Sequence, residues 1–359
     1  METVISRGSD TALLKGFAII AIVVHNFCHW IPGCVAENEY NFQISNTIHL
    51  FDVLRNGGPH VVLNLFSYFG CYGVALFLFL SGYGVAKKYE SQYPPQGDAP
   101  IGVWRFSRYN ALKLWRLMVV GLITLLAYEA VFTASGWRHG VMNVVWWFAF
   151  LQNFFPQFAT TLLPRQDLLL GPWWYFSLTM QMYMLYRLAL YKRGKGALIA
   201  WAAISIVVQG AAVTVFNDPE QTMLHYLRYI FPGCLLPFAL GVWTVRYGLH
   251  ISKWLWAAAA VVFVLACVNV AAWIVAPLAV VVMALPVIKM RAGTLFRRAI
   301  EEIGKLSAAL FVIHPVVRCF INPRFGGNVY LQLAEYLAIS MAAAWIITKL
   351  LGILPRPKL

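Results

Sequence analysis

The stretch that decides the fold is TALLKGFAIIAIVVHNFCHW, which runs from Thr11 to Trp30. It has about the 20 residues that a helix needs to cross the hydrocarbon core of a bilayer. It nevertheless carries Lys15 near one end and His25 well inside, and His29 follows four residues later on the same helical face. An ionisable side chain at that depth costs about 2.5–3.5 kcal/mol, so it usually faces protein or a wet cavity. The stretch predicts a transmembrane helix that the rest of the protein surrounds at His25.

Composition extends this prediction to all 359 residues. The chain is 60% hydrophobic and only 12% charged, whereas soluble domains carry about 25% charged residues. We predict a single polytopic membrane domain over residues 1–359, without a cleavable signal peptide. The net charge of +14 fits the cytoplasmic excess of Lys and Arg in membrane proteins, and no nucleic-acid partner is expected. The six cysteines lack metal or redox spacing and are expected to be packing residues.

Apolar runs and loop charges predict an all-α membrane protein with about ten transmembrane helices. The spans fall at about residues 11–30, 68–86, 111–132, 173–190, 197–216, 227–245, 253–270, 271–288, 306–321 and 330–350. Most of the 28 Lys and Arg then lie on one side, which predicts that both termini are cytoplasmic. The predicted outer side holds the acidic turn Asn217 to Glu220 and six arginines, Arg55, Arg138, Arg165, Arg228, Arg318 and Arg324.

One apolar stretch, Met142 to Phe155, is about 14 residues long and therefore short for a span. If it crossed, the basic sequence YKRGK after the fourth span would lie outside. We predict an interfacial or re-entrant helix instead. Its Trp146 and Trp147 suit the aromatic belt at a membrane surface.

His25 is the first candidate for chemistry. It lies about 21 Å along the helix from Thr11 at 1.5 Å per residue, which places it in the outer half of the membrane. An imidazole exchanges protons near neutral pH, so it could act as a general base for a hydroxyl group. The other interpretation is a buried ring with structural hydrogen bonds. His29 is nearer the interface, and a structural role is expected for it.

The spacing of His25 and His29 could also hold a metal ion on one helical face. No third ligand is evident from the sequence, and no HExxH motif is present. Because zinc sites need three or four protein ligands, the sequence predicts no metal site.

Four cations lie where the third span begins: Arg105, Arg108, Lys113 and Arg116. A spacing of three puts each pair on one face if the segment is helical. Guanidinium forks grip phosphate oxygens, so the cluster suits a polyphosphate ligand. On charge alone, positive-inside topology with contact to anionic lipid is the better interpretation.

The second and fourth predicted spans hold further polar groups. Ser81 lies in FLFLSGYG, where small residues favour close helix packing and a nucleophile would need a neighbouring base. GPWWYFSLTMQMY begins at Gly171, and its Trp173 and Trp174 are expected to anchor at the membrane interface. Gln181 and Tyr183 follow inside the span and need polar partners.

The sequence SAALFVIHPVV contains a second intramembrane imidazole, His314. Pro315 follows it and releases a backbone carbonyl one turn earlier. The predicted direction of this helix places His314 in the outer half as well, so it could lie level with His25 around a shared polar cavity. A purely structural role for His314 is the alternative.

Taken in order, these motifs resemble the acyltransferase-3 family, the membrane O-acyltransferases that decorate glycans. The similar segments are LLKGFAIIAIVVH, GVALFLFLSGYG, the Arg105–Arg108 and Lys113–Arg116 pairs, WWYFSLTMQMYMLY, and IGKLSAALFVIHPVV. They occur in the family's order and cover essentially the whole chain. The resemblance also implies a location in the bacterial cytoplasmic membrane.

The resemblance implies transfer of an acyl group, such as acetyl, from cytoplasmic acyl-CoA to a hydroxyl of a glycan or lipid-linked sugar. His25 would be the base and the four cations would meet the CoA phosphates, with no tightly bound cofactor. By the same resemblance, His314 and Lys15 are catalytic candidates. Ser81, Trp174, Gln181 and Tyr183 are candidates for substrate binding.

One departure concerns the spacing of Lys15 and His25. Nine residues separate them, whereas the family usually has ten between its cation and its His. Ten steps of about 100° leave the two side chains about 80° apart, whereas eleven steps would nearly align them. A local irregularity in the helix could restore the alignment.

A different class of function is a transporter or flippase that moves a glycan or acyl group without bond chemistry. Release of free thiol from acyl-CoA separates it from an enzyme. A receptor-like module is the lesser alternative. The acyl group, the acceptor, the face of transfer and any homo-oligomer stay open.

Overall fold

The structure is a computed structural model in which every described element is helical. The described residues are 5, 7–58, 60–92, 102–132, 140–155, 169–216, 219–291, 293–322 and 326–358. Helices make up 80% of the structure, and the described part of the chain contains no strand. Arg138, Arg165, Arg324 and the start of the predicted acidic turn, at Asn217, lie outside the described residues. The all-α prediction is confirmed.

Fifteen α-helices follow one another along the chain. They are α1 Gly8–Cys28, α2 Ile44–Asn56, α3 Val61–Phe69, α4 Gly73–Ala86, α5 Val103–Phe132, α6 Val141–Phe148, α7 Trp174–Leu185, α8 Lys195–Thr214, α9 Thr222–Tyr229, α10 Phe231–Tyr247, α11 Lys253–Leu265, α12 Val270–Ala284, α13 Leu295–Lys305, α14 Ser307–Phe320 and α15 Val329–Ile353. A short 3-10 turn, Gly70–Tyr72, joins α3 to α4. A π-helical segment, Tyr186–Leu190, continues α7.

Six of the helical segments are long and apolar enough to cross a membrane. They are Gly8–Cys28, Val61–Ser91, Val103–Phe132, Lys195–Thr214, Val270–Lys289 and Val329–Ile353. The number rises to eight if α9 with α10, and α13 with α14, each cross as one broken span. The described residues therefore support six to eight spans, and the predicted ten are not confirmed.

The shortfall has a physical cause in the lengths of two helices. α7 has 12 residues before its π-helical continuation, and α11 has 13. At 1.5 Å per residue these helices measure about 18–20 Å, which is less than the hydrocarbon thickness of about 30 Å. The predicted span over residues 173–190 is helical throughout when the π-helical continuation is included, whereas α11 ends before the predicted bound of residue 270.

The chain folds into two compact units, Met1–Gln96 with Ala189–Lys305, and Gly97–Leu188 with Leu306–Leu359. In the first unit, α1 is packed closely through glycine. A Cβ atom at Gly304 of α13 would overlap the carbonyl oxygen of Ala12, and one at Gly73 would lie 2.6 Å from the carbonyl oxygen of Ala18. α1 therefore touches the backbones of its neighbours directly.

The motif FLFLSGYG forms a second close contact in this unit. A Cβ atom at Gly82 in α4 would overlap the carbonyl oxygen of Phe238 in α10, and one at Gly241 would overlap that of Phe79. Close approach of two helices is what small residues allow inside a membrane protein. Ser81 lies half-buried in the same stretch of α4.

The second unit is organised around stacked tryptophans. The ring planes of Trp147 and Trp173 are 12° apart with centroids at 4.8 Å, and both side chains are fully buried. Trp173 Nε1 donates to the carbonyl oxygen of Val312, 3.1 Å away. The predictions that Trp173 anchors at the membrane interface and that Trp147 belongs to an aromatic belt are therefore wrong. Their indole N–H groups are satisfied inside the protein instead.

The short apolar stretch forms α6, which has eight residues, followed by the 3-10 turn Gln152–Phe154. A helix of that length measures about 12 Å and cannot cross a bilayer.

Candidate active site

His25 lies near the carboxyl end of α1, and its side chain is only 3% exposed. The 3-10 turn that follows α3 presses against it. A Cβ atom at Gly70 would lie 2.5 Å from the Cβ atom of His25. Only glycine allows this approach, which fixes the position from which the imidazole projects.

Backbone carbonyls determine which nitrogen of His25 carries the proton. Nδ1 lies 2.9 Å from the carbonyl oxygen of Ser67 and 3.2 Å from that of Phe66. Carbonyl oxygens only accept hydrogen bonds, so Nδ1 is the donor and Nε2 keeps its lone pair in the neutral ring. Nε2 has no hydrogen-bond partner among the described residues. The ring therefore presents a buried basic nitrogen.

Glu39 supplies a carboxylate on the side of that nitrogen. Its Oε2 lies 3.8 Å from His25 Nε2, and the carboxylate is 16% exposed. An imidazolium that forms at His25 would be stabilised by the negative charge. Glu39 was missed as a site residue because the loop after α1 has no periodicity from which its position could be predicted.

Arg228 holds the backbone of Glu39. Its Nε donates to the carbonyl oxygen of Glu39 at 3.2 Å, and its Nη1 donates to Gln209 Oε1 at 3.3 Å. The guanidinium also lies 4.4 Å above the ring of Trp273. Arg228 was predicted as a cation of the outer side, but the structure buries it. Its partners offset the cost of burial.

His29 and Glu37 form a second pair beside the first. The rings of His25 and His29 have centroids 4.0 Å apart, and His29 Nε2 lies 2.9 Å from Glu37 Oε2. Burial by itself would raise the pKa of Glu37, but the adjacent His29 outweighs burial and lowers that pKa to about 2. Burial, together with the neighbouring His25, lowers the pKa of His29 below its ordinary value.

The acidic loop, residues 31–43, brings both carboxylates to α1. Val35 anchors it, because its N–H donates to Asn64 Oδ1 at 2.8 Å and its carbonyl accepts from Ser67 Oγ at 2.7 Å. Trp273 Nε1 donates to the carbonyl oxygen of Asn38 at 2.7 Å. Side chains of α3 and α12 thus take the place of regular secondary structure in positioning the acids.

Lys15 lies on the same helix as His25, and its catalytic role stays a prediction. α1 is an unbroken α-helix from Gly8 to Cys28, so no irregularity realigns Lys15 with His25. The two side chains project about 80° apart and are separated by about 15 Å along the axis. The role for Lys15 that the resemblance implies therefore has no support in the geometry of α1.

The four cations lie on one helix, since α5 begins at Val103 and includes all of them. At 100° per residue they fall within an arc of about 140°. Arg105, Arg108 and Lys113 are exposed. Arg116 is different, because its Nη2 donates to the carbonyl oxygens of Leu351 and Leu354. Arg116 thus satisfies carbonyls at the end of α15, a structural task that the sequence analysis did not foresee.

The remaining candidates of the second unit lie in α7 and just before it. Trp174 is buried, and its carbonyl oxygen accepts from Asn153 Nδ2 at 2.9 Å. Gln181 is buried and Tyr183 is half-buried. Their roles in substrate binding stay predictions.

His314 is fully buried in α14 of the second unit. Its Nδ1 lies 2.9 Å from the carbonyl oxygen of Leu310 and therefore donates to it. Nε2 has no hydrogen-bond partner in the described part of the chain. The expectation that His314 lies level with His25 stays a prediction, because the two residues belong to different units.

The first unit thus holds a buried imidazole with a fixed tautomer and an adjacent carboxylate, carried by a helical membrane protein. Comparison with protein-family models assigns the class. The chain belongs to the Acyl_transf_3 family, described as an acyltransferase domain, whose model matches residues 12–349. This confirms the resemblance seen in the motifs. A comparison with curated proteins found no match, and neither did one with solved structures.

Proposed function

We propose that this protein transfers an acyl group, such as acetyl, from cytoplasmic acyl-CoA to a hydroxyl of a glycan or lipid-linked sugar. The observation that supports it best is the hydrogen bond from His25 Nδ1 to the carbonyl oxygen of Ser67 at 2.9 Å. It leaves the lone pair of Nε2 available in a site where water is scarce. Membership of an acyltransferase family supplies the type of reaction.

In the proposed reaction, His25 Nε2 takes the proton of the acceptor hydroxyl as its oxygen attacks the thioester carbonyl. The carbon–sulfur bond then breaks, and the imidazolium returns the proton to the leaving thiolate. Glu39 stabilises the positive charge that His25 carries between these steps. General-base catalysis of this kind contributes about 10²–10⁴ in rate.

For the donor, we propose that Arg105, Arg108 and Lys113 bind the CoA phosphates at the cytoplasmic membrane of a bacterium. These cations are exposed along one side of α5, and clustered cations suit a polyphosphate. Trp174, Gln181, Tyr183, Ser81 and His314 stay proposed substrate contacts.

The test is release of CoA and formation of acylated sugar by the purified protein in lipid nanodiscs. His25→Ala should reduce both by at least about 10² while the protein stays folded. His49→Ala is the matched control, because His49 is exposed on α2. Wild-type rates in a folded His25→Ala variant would refute the role of His25. Sugar movement without CoA release would favour a transporter.

A further inference from the structure

Three potential metal ligands meet at the end of α1. His25, His29 and Glu37 each offer one ligand atom, and these atoms all lie within 4.8 Å of one another. The sequence showed the two histidines but no third ligand. The acidic loop supplies it, by returning Glu37 to the helix eight residues after His29.

The distances are close to those of a coordinated ion. Tetrahedral zinc with bonds of about 2.0–2.2 Å holds its ligand atoms about 3.4 Å apart. His29 Nε2 and Glu37 Oε2 already lie 2.9 Å apart. Small side-chain rotations would complete the approach of the third ligand, because both glutamate and histidine pivot about two or more bonds.

The hydrogen bonds around the site are those expected of metal ligands. A metal-bound imidazole usually donates its other N–H to a carbonyl or carboxylate, and His25 Nδ1 does so toward Ser67. The Nε2 atoms of both histidines are buried and have no hydrogen-bond partner in the described residues. Two buried ring nitrogens and a carboxylate oxygen therefore lie close enough together to share one ion.

We propose that His25, His29 and Glu37 bind a divalent first-row transition-metal ion, with Zn²⁺ as the probe. Two imidazoles and one carboxylate form a set that such ions prefer over Mg²⁺ or Ca²⁺. Three protein ligands leave room for water as the fourth.

Metal binding would also inhibit acyl transfer, and this consequence rests on the proposed function. His25 Nε2 has one lone pair. It cannot accept a hydroxyl proton while it is coordinated to an ion, so the metal-bound protein lacks its base.

Binding is tested without substrate, on the full chain purified without a His tag and treated with a chelator. Calorimetric titration should show one Zn²⁺ bound per chain and no response to Mg²⁺. Co²⁺ should give the visible absorption of a low-coordinate site. His29→Ala and Glu37→Gln should weaken Zn²⁺ binding by more than about tenfold, since even mutation of residues that only hydrogen-bond to metal ligands costs about 10–100-fold in affinity.

Two matched variants control for other sites. His225→Ala removes a half-buried imidazole of the same unit, and Glu39→Gln removes the neighbouring carboxylate. Both should bind Zn²⁺ within about threefold of wild type. His29→Cys replaces the ligand with a thiolate and should give a cobalt–thiolate charge-transfer band that the wild type lacks.

Absence of Zn²⁺ binding to wild type would overturn the proposal, as would unchanged binding by His29→Ala and Glu37→Gln. The inhibition is measured by mass spectrometry of the acylated sugar, because the CoA thiol itself binds zinc. Zn²⁺ should reduce the wild-type rate of acyl transfer below the rate of chelator-treated wild type. The corresponding reduction in His29→Ala should be much smaller. If chelated wild type makes no product, the proposed function fails, while the titration still decides the metal site.

Discussion

The carboxylate of Glu39 reaches to within 3.8 Å of His25 Nε2, the nitrogen that faces away from the backbone carbonyls. A buried imidazole that gains a proton needs a compensating charge, and Glu39 is the acid that lies beside this nitrogen. We therefore expect Glu39→Gln to reduce the turnover number in chelated protein by about tenfold or more, since one charge contact at a site of low dielectric is worth about 1–3 kcal/mol. Steady-state kinetics with acyl-CoA and sugar measure this. Glu220→Gln, on an exposed turn of the same unit, should be without effect; equal rates for both variants would contradict the role of Glu39.

Gly70→Ala should impair catalysis without removing any polar group. The added methyl group would lie 2.5 Å from His25 Cβ, so the ring must shift away from the carbonyls of Ser67 and Phe66. A displacement of about 1 Å at a reacting group can cost about 10² in rate, and the turnover number should fall while the KM for acyl-CoA stays constant. The control is Gly84→Ala in α4, because nothing lies within 4 Å of the position that its Cβ would take. An unchanged turnover number for Gly70→Ala would mean that the position of the ring does not limit the reaction.

Arg108 and Arg116, both in α5, should affect different properties: Arg108 the binding of the acyl donor, and Arg116 the stability of the fold. Arg108→Gln should raise the KM for acyl-CoA several-fold, and more so at low salt, because an exposed cation acts on phosphate through a screened field. Arg116→Gln should instead lower the midpoint of thermal unfolding, because the end of α15 loses its hydrogen bonds. Lys195→Gln, an exposed cation of the other unit, serves as control. If Arg116→Gln raised the KM for acyl-CoA and Arg108→Gln did not, donor binding would have to be assigned to Arg116 instead.

The ion pairs of Arg297 and of Lys305, both in α13, should differ strongly in their contributions to stability. Arg297 is 4% exposed and binds Asp10 at 2.8 Å and Glu301 at 2.7 Å, whereas Lys305 binds Glu302 with both side chains more than 60% exposed. Arg297→Met should lower the free energy of unfolding by about 2–3 kcal/mol, since charged hydrogen bonds are lost and Asp10 stays shielded from water. Lys305→Met should leave that free energy nearly unchanged. Unfolding titrations of both variants in one detergent test the difference, and equal destabilisation would argue against it.

Helix contacts through glycine give a further stability comparison. Gly304→Ala should destabilise the protein by about 1–3 kcal/mol, because its methyl group overlaps the carbonyl of Ala12 and α13 must move away from α1. Gly210→Ala should stabilise it slightly, since nothing lies within 4 Å of its Cβ position in α8 and alanine is the better helix former. Thermal unfolding of the two single variants is the measurement. A stable Gly304→Ala protein would mean that this contact relaxes easily.

The sequence predicted the elements that depend on local pattern. Hydropathy located α1 and placed His25 inside it, and it located most of α5, although that helix begins at Val103, before the predicted start at residue 111. Glu37 and Glu39 escaped prediction because the acidic loop has no periodicity. Its course depends on distant partners such as Asn64 and Trp273.

The errors arose where tertiary packing overrides composition. Trp147 and Trp173 look like interfacial anchors in the sequence, yet they stack on each other in the interior of the second unit. The ten predicted spans are not confirmed, in part because α11 ends at Leu265, before its apolar run does. Hydropathy measures the affinity of a segment for lipid or protein interior without distinguishing the two.

The glycine contacts of α1 have a consequence for turnover. Gly16 and Gly304 bring the backbone of α13 against one part of the helix, and Gly70 and Gly73 bring the turn before α4 against another. A helix held against neighbouring backbones at two levels cannot shift along its axis during turnover. The His25 imidazole therefore keeps its position, and both reactants must diffuse to it.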